Sequence, residues 1–344
     1  MYALEAVILR ALNKPDEIGS APAAPTARLK NNLRGILLPF TTPFNPTEEL
    51  DKEGLRRNIR KWNATGIVGY VALGSTGEQV NLDERECAQV IEIAREEIPH
   101  NLEFIVGAGR QSTRATIAET KHASEAGADA VLVITPYFYR PAITQEALVT
   151  HFTAVADASP VPVILYSMPD LTGIKIEPET IAQLSAHPNI IGVKDSSADI
   201  AGFGKTVTLV PKDFAVLTGN GTVLHAALEN GARGAILAVG CVAAALCLEI
   251  YRLVDDRERD NAAALQEQLT PLALAVTKRY GIGGLKAAMD MIGFAGGAVR
   301  APLKPVTAEA HEEIAALLDE LRNPSVSETE ARGEQGEFAG VVRQ

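Results

Sequence analysis

The sequence predicts an α/β protein, a closed (β/α)8 TIM barrel with a C-terminal helical extension. Three observations predict it. From Gly35 onward, short β-rich apolar runs alternate with amphipathic helical patterns. The alternation repeats eight times in about 220 residues, which suits a closed barrel. No G-x-G-x-x-G follows the first apolar run, as an open dinucleotide-binding sheet would require.

The runs expected as strands are 36–39, 69–73, 104–107, 130–134, 161–166, 190–194, 214–218 and 234–238. They are short and apolar, as parallel strands buried under helices should be. Helical patterns fill 52–63, 83–97, 113–126, 145–158, 178–186, 200–210, 222–230 and 243–254. The barrel is therefore expected over 33–254. A C-terminal helical region is expected over 255–322, with helices at 257–278, 284–292 and 307–321, the last starting at Thr307 behind Pro302 and Pro305. Gly281-Ile282-Gly283-Gly284 continues into Leu285-Lys286 and completes no nucleotide fingerprint.

Residues 1–32 combine one short amphipathic pattern (Leu4, Val7, Ile8, Ala11) with a Pro/Ala-rich stretch over 19–26, and read as a flexible N-terminal extension. Over 323–344 apolar periodicity fades into Ser, Glu, Arg and Gly, which reads as a disordered tail.

Composition narrows the partners. A formal charge of −11, with no basic run interleaved with aromatics, argues against a nucleic-acid surface or an anionic membrane. Cys87, Cys241 and Cys247 form no CxxC pair, and none of the six histidines lies in an HExxH, so neither a disulfide framework nor a metal site is expected. No apolar run is long enough to span a bilayer. Met1 to Arg10 carries Glu5 and lacks the basic start and cleavage site of a secretory signal, so a cytoplasmic setting is expected.

In such a barrel the chemistry gathers at the C-terminal ends of the strands. Lys194 ends the sixth. Strict alternation places it on one face with Gly192 and Ile190, with Val193 and Ile191 opposite and Gly192 leaving space beneath it. Taken alone, such a lysine snorkels into water; an amine held in a partly dry pocket loses its charge more readily and attacks carbonyls. The second strand ends in Gly74-Ser75-Thr76-Gly77-Glu78, a tight loop whose N–H groups and two hydroxyls suit a small carboxylate. The competing reading is a helix cap, Thr76 with Gln79 or Asn81 with Glu84. Tyr166 ends the fifth strand on the face of Ile164, where the plainer reading is a core tyrosine bonded to a carbonyl.

Together, a lysine, a phenol and an anion loop on three strand ends are what imine chemistry on a 2-keto acid requires. No metal or organic cofactor is needed. Two other readings stay open. A phosphate could bind through Gly219-Asn220-Gly221 and the Gly240 region after the last two strands, although turn geometry explains those glycines equally well. The barrel could also bind a keto acid without turning it over.

The run Gly74-Ser75-Thr76-Gly77-Glu78, then Leu165-Tyr166-Ser167-Met168-Pro169 with Thr172-Gly173, then Ile191-Gly192-Val193-Lys194-Asp195-Ser196 resembles the dihydrodipicolinate synthase and N-acetylneuraminate lyase family of class I aldolases. The resemblance spans about 33–321 and implies a Schiff base on Lys194, proton relay by Tyr166 and a pyruvate carboxylate held by Ser75 and Thr76, with Gly74 and Ser196 completing the substrate-binding set. It also implies a homotetramer built as a dimer of dimers, with pyruvate and a small aldehyde or 2-keto acid as partners.

The 275–286 and 300–303 stretches make 4-hydroxy-2-oxoglutarate aldolase the subgroup it most resembles. A lysine-pathway synthase and a 2-keto-3-deoxy sugar-acid aldolase or dehydratase are the alternatives. Two positions depart from the family pattern. Leu171 stands where the synthases carry an arginine for a second carboxylate, and Phe138 where the family often lends a tyrosine across an interface. Tyr137 or Tyr139 is expected to replace that hydroxyl. Arg110, at the end of the third strand, reads either as a solvated arginine on the barrel rim or as the replacement for the arginine missing at Leu171, gripping a distal carboxylate.

Overall fold

A computed structural model describes Leu29 and residues 33–322. Eight parallel strands close on themselves in chain order: β1 (Gly35–Pro39), β2 (Gly69–Ala72), β3 (Glu103–Ala108), β4 (Ala130–Ile134), β5 (Val163–Ser167), β6 (Ile190–Asp195), β7 (Ala215–Thr218) and β8 (Gly234–Ile236). The closing pair is β1 with β8. Around them lie α1 (Lys52–Trp62), α2 (Glu84–Glu97), α3 (Thr113–Glu125), α4 (Gln145–Ala158), α5 (Pro178–Leu184), α6 (Ile200–Leu209), α7 (Leu224–Glu229) and α8 (Gly240–Asp255). The expected barrel is present.

Strand ends shift by small amounts for local reasons. β5 starts at Val163 rather than 161, and Pro162, which has no N–H to give a ladder, serves only as an acceptor for Val131. The box that caps α2 is Asp83 with Glu86: Glu86 N donates to Asp83 Oδ1 (2.7 Å) and Asp83 N to Glu86 Oε2 (3.0 Å). Neither Thr76 with Gln79 nor Asn81 with Glu84 forms that box, because Ser75–Gly77 and Gln79–Asn81 are separate 3-10 turns without side-chain caps.

The region beyond the barrel is helical, as expected, but not as three plain helices. α9 (Arg259–Leu274) runs into a π-helical turn, Ala275–Arg279, before α10 (Gly281–Met291), and α11 (Ala308–Arg322) follows. Among the described residues no helix is long and apolar enough to cross a membrane, and no group of three potential metal ligands gathers.

Apolar side chains occupy two shells. Leu37, Val71, Ile105, Leu132, Ile164, Ile191, Leu217 and Ile236 fill the barrel interior, and a larger cluster including Trp62, Phe104, Phe152 and Val193 lies between strands and helices. Each such side chain contributes roughly 1.5–3 kcal/mol on burial. Leu29, within the span read as an N-terminal extension, belongs to the interior shell, and Leu33 N donates to its carbonyl at 3.0 Å. The rest of that extension and the tail over 323–344 lie outside the described residues.

Strict alternation along β6 fails at one place. β5 advances one residue, Val163 to Ile164, while its partners on β6 advance from Ile190 to Gly192, so Ile191 is the extra residue of a bulge. Ile191 thereby joins the interior shell, whereas Ile190 and Val193 pack outward. Gly192 serves the close approach of β6 to β7, since a Cβ there would lie 2.5 Å from the Ala215 carbonyl oxygen.

On α4, His151 is buried with Nδ1 3.0 Å from Thr113 Oγ1, and its Nε2 has no partner among the described residues. Burial pulls its pKa down to about 4. The unfolded chain therefore takes up the proton first, and stability present above pH ~6.5 is lost as the pH falls towards 4, by up to about 3 kcal/mol. Urea titrations of His151→Gln should show a shallower loss over that window; a loss equal to that of the parent would assign it to other groups.

Candidate active site

At the C-terminal mouth of the barrel the register of β5 and β6 sets Tyr166 directly opposite Lys194. Both side chains are nearly sealed, Lys194 4% and Tyr166 3% exposed. The lysine Nζ lies 4.3 Å from the centroid of the Tyr166 ring. A ring face stabilises a cation there without supplying a counter-ion that would compete for the amine. Among the described residues no carboxylate forms an ion pair with Lys194.

The phenol is oriented from the neighbouring loop. Tyr166 Oη and Ser75 Oγ are 2.8 Å apart, so a proton on one is shared with the other. This contact replaces the plainer expectation of a carbonyl partner. Thr76 is buried one residue on, and Thr42 Oγ1 donates to the Gly77 carbonyl at 2.7 Å, which pins the loop to the segment after β1. Thr42, just beyond the end of β1, carries no motif that singles it out in the sequence.

Beyond Lys194, Asp195 accepts from Ser197 N at 2.8 Å, and burial raises its carboxyl above the usual carboxylate range. Ser196 N donates to the Ser167 carbonyl at 3.0 Å, and the Ser196 side chain lies against Gly219. Gly219 is what leaves room. A Cβ there would lie 2.0 Å from Ser196 Oγ and 2.7 Å from Lys194 Cε. Its neighbours serve turn geometry: Asn220 Oδ1 accepts from Thr222 N, and the Gly221 carbonyl accepts from Gln266.

Not every expected residue joins this group. Tyr137 and Phe138 donate their backbone N–H groups to Gln111 Oε1, each at 2.8 Å. Phe138 and Tyr139 are exposed and pack edge to face against each other. Among the described residues the hydroxyl partner of Tyr166 is Ser75 rather than either tyrosine. Arg110 pairs with Glu119 at 3.0 Å and lines a groove between α2 and α3. Leu171, 61% exposed, sits in the single helical turn Pro169–Thr172 that follows Tyr166.

Substituting Gly219→Ala forces Lys194 and Ser196 aside while leaving the strand ladder intact. Because misplacing a reacting group by about 1 Å costs on the order of a hundredfold, the rate of borohydride-trapped pyruvate addition is expected to fall by roughly that factor. An unchanged trapping rate in the folded variant would show that Lys194 is not held by this contact.

The sequence profile of the dihydrodipicolinate synthetase family matches residues 32–321. Among curated proteins, a 4-hydroxy-tetrahydrodipicolinate synthase from Methanothrix thermoacetophila is 34% identical over 291 residues, covering 84% of this chain and 97% of that protein. One from Rhodopseudomonas palustris is 35% identical, covering 82% and 94%. Among solved structures, a monomeric dihydrodipicolinate synthase variant superposes with a TM-score of 0.81 at 30% identity, covering 88% and 99%. A prophage protein of the family from E. coli K12, in complex with pyruvate, gives 0.79 at 28%, covering 84% and 98%. With the profile matched along the whole barrel and the C-terminal helices, this chain belongs to the dihydrodipicolinate synthetase family.

Proposed function

We propose that this chain is a pyruvate-dependent class I aldolase that makes or breaks a carbon–carbon bond through a Schiff base on Lys194. The observation that carries the reading is the sealed pair of Lys194 and Tyr166 with Ser75 Oγ on the phenol. Lys194, having released its ammonium proton to solvent, attacks the keto carbon of pyruvate as the neutral amine. A proton passes from nitrogen to oxygen to give the carbinolamine, whose hydroxyl leaves as water after taking a proton from the Tyr166 phenol. The imine remains protonated, so its charge persists above the ring face that held the ammonium. The Tyr166 phenolate left by the dehydration takes a proton from the methyl carbon to give an enamine, which attacks the aldehyde carbon, and the new alkoxide takes that proton back from the phenol. Hydrolysis releases the product and restores the amine. On this reading the backbone N–H groups and hydroxyls of Ser75 and Thr76 receive the carboxylate, since the Gly77 N–H already donates to the Gly74 carbonyl at 3.0 Å.

The relatives' names support an amino-acid semialdehyde as acceptor, giving 4-hydroxy-tetrahydrodipicolinate, and this is the better supported substrate. Leu171 favours a second reading, 4-hydroxy-2-oxoglutarate, because it offers no guanidinium in the turn after Tyr166. On that reading Arg110 must leave Glu119 to reach the distal carboxylate. We also propose a cytoplasmic homotetramer. The exposed Val80, Phe138 and Tyr139 on the loops after β2 and β4 support a subunit contact there, and sedimentation at the monomer mass would contradict it.

The purified protein should be assayed for condensation of pyruvate with the semialdehyde and for pyruvate release from 4-hydroxy-2-oxoglutarate. One activity is expected to exceed the other clearly, and Lys194→Ala should reduce it by roughly a thousandfold or more. Adduct formation without turnover on either substrate would favour a keto-acid-binding barrel. Activity that survives in Lys194→Ala would refute the mechanism.

A further inference from the structure

The carboxylate loop is held on two sides, and only one of them is the barrel. Glu78, which closes the loop in a left-handed conformation (φ 54°), points away from the mouth into a buried cluster. There Lys286 of α10 brings Nζ to 2.5 Å from Glu78 Oε1, with both side chains 1% exposed. The same ammonium donates to the Ala298 carbonyl at 2.6 Å and lies 4.3 Å from the centroid of the Phe44 ring. The other carboxylate oxygen accepts from Asn81 Nδ2 and from Arg300 N, each at 3.3 Å. Arg300 closes the outside: its guanidinium binds both oxygens of Glu86 and the Asn81 carbonyl, all at 2.7 Å, and the Glu48 carbonyl at 2.6 Å.

We infer that the Glu78–Lys286 pair positions the carboxylate loop, so that the C-terminal helical region sets the affinity of the site for a 2-keto acid. The inference rests on the pyruvate reading above. A buried ion pair is close to neutral for stability against a well-packed apolar pair, so fold stability alone gives little reason to place one here. What it does provide is direction. A short contact between two sealed charges fixes Glu78 in its left-handed geometry, and through it the backbone of Ser75 to Gly77 on which the carboxylate would rest. Lys286 also compensates the negative charge of Glu78, which would otherwise lie behind an anion site. Lys286 and Glu78 act through the loop and touch no substrate, so both are positioning residues.

Half-saturation of borohydride-trapped adduct by pyruvate is the readout, measured alongside the melting temperature. Lys286→Met and Glu78→Gln should each raise the half-saturating pyruvate concentration by about 10- to 100-fold, with a much smaller change in trapping at saturating pyruvate. The double variant carries no uncompensated buried charge, and its melting temperature should recover towards that of the parent, while the half-saturation stays raised. The near-isosteric Glu78→Gln keeps the measurement available should Lys286→Met fail to fold. Half-saturation within about twofold of the parent in a folded single variant would overturn the inference. So would affinity that recovers together with melting temperature in the double variant. A parent protein that traps no pyruvate would instead overturn the underlying functional reading.

Discussion

Everything at the mouth depends on fitting a long cationic side chain inside a closed eight-stranded barrel. Such interiors are filled by branched apolar side chains in layers, and Lys194 stands directly above them, opposite Tyr166. Three features make that arrangement possible. The bulge at Ile191 lets an apolar side chain keep its place in the interior while Lys194 still faces inward. Gly219 removes the Cβ that would strike the lysine stem. The face of the Tyr166 ring then takes the place of a counter-ion, so the nitrogen lies beside a phenol and not in an ion pair.

The loop that completes the site is itself costly to fold. Leu73 and Glu78 flank it with φ of 53° and 54°, a conformation that costs an L-residue roughly 1–2 kcal/mol each. The offset comes from both sides. Thr42 and Tyr166 hold the loop from the barrel, and Lys286 and Arg300 hold it from the C-terminal region. A reacting geometry built from β2, β5, β6 and α10 is only as well defined as the packing that fixes those elements to one another.

Much of the architecture was legible because its signals are local. Strand and helix periods were readable to within a few residues, and the lysine, phenol and anion loop stood out as polar residues at strand ends. What escaped the sequence is what depends on two distant segments meeting. The bulge on β6 is a mismatch with β5 that the text of β6 alone does not show. Glu78 and Lys286 belong to different regions, and neither residue type signals the other. Gly219 looked like a turn glycine because its neighbours, Lys194 and Ser196, come from the preceding strand and loop. The capping box differs for a simpler reason: several polar pairs of the right spacing crowd residues 76–86, and only Asp83 and Glu86 occupy the N-cap and third positions of α2.

The central claim is that Lys194 is the amine that bonds to pyruvate. Reduction of the protein with borohydride in the presence of pyruvate, followed by peptide mapping, tests it most directly. The account predicts one reduced pyruvyl adduct, located on Lys194 and lost when Lys194 is replaced. A protein that remains unmodified, or an adduct carried by another lysine such as Lys286, would contradict it.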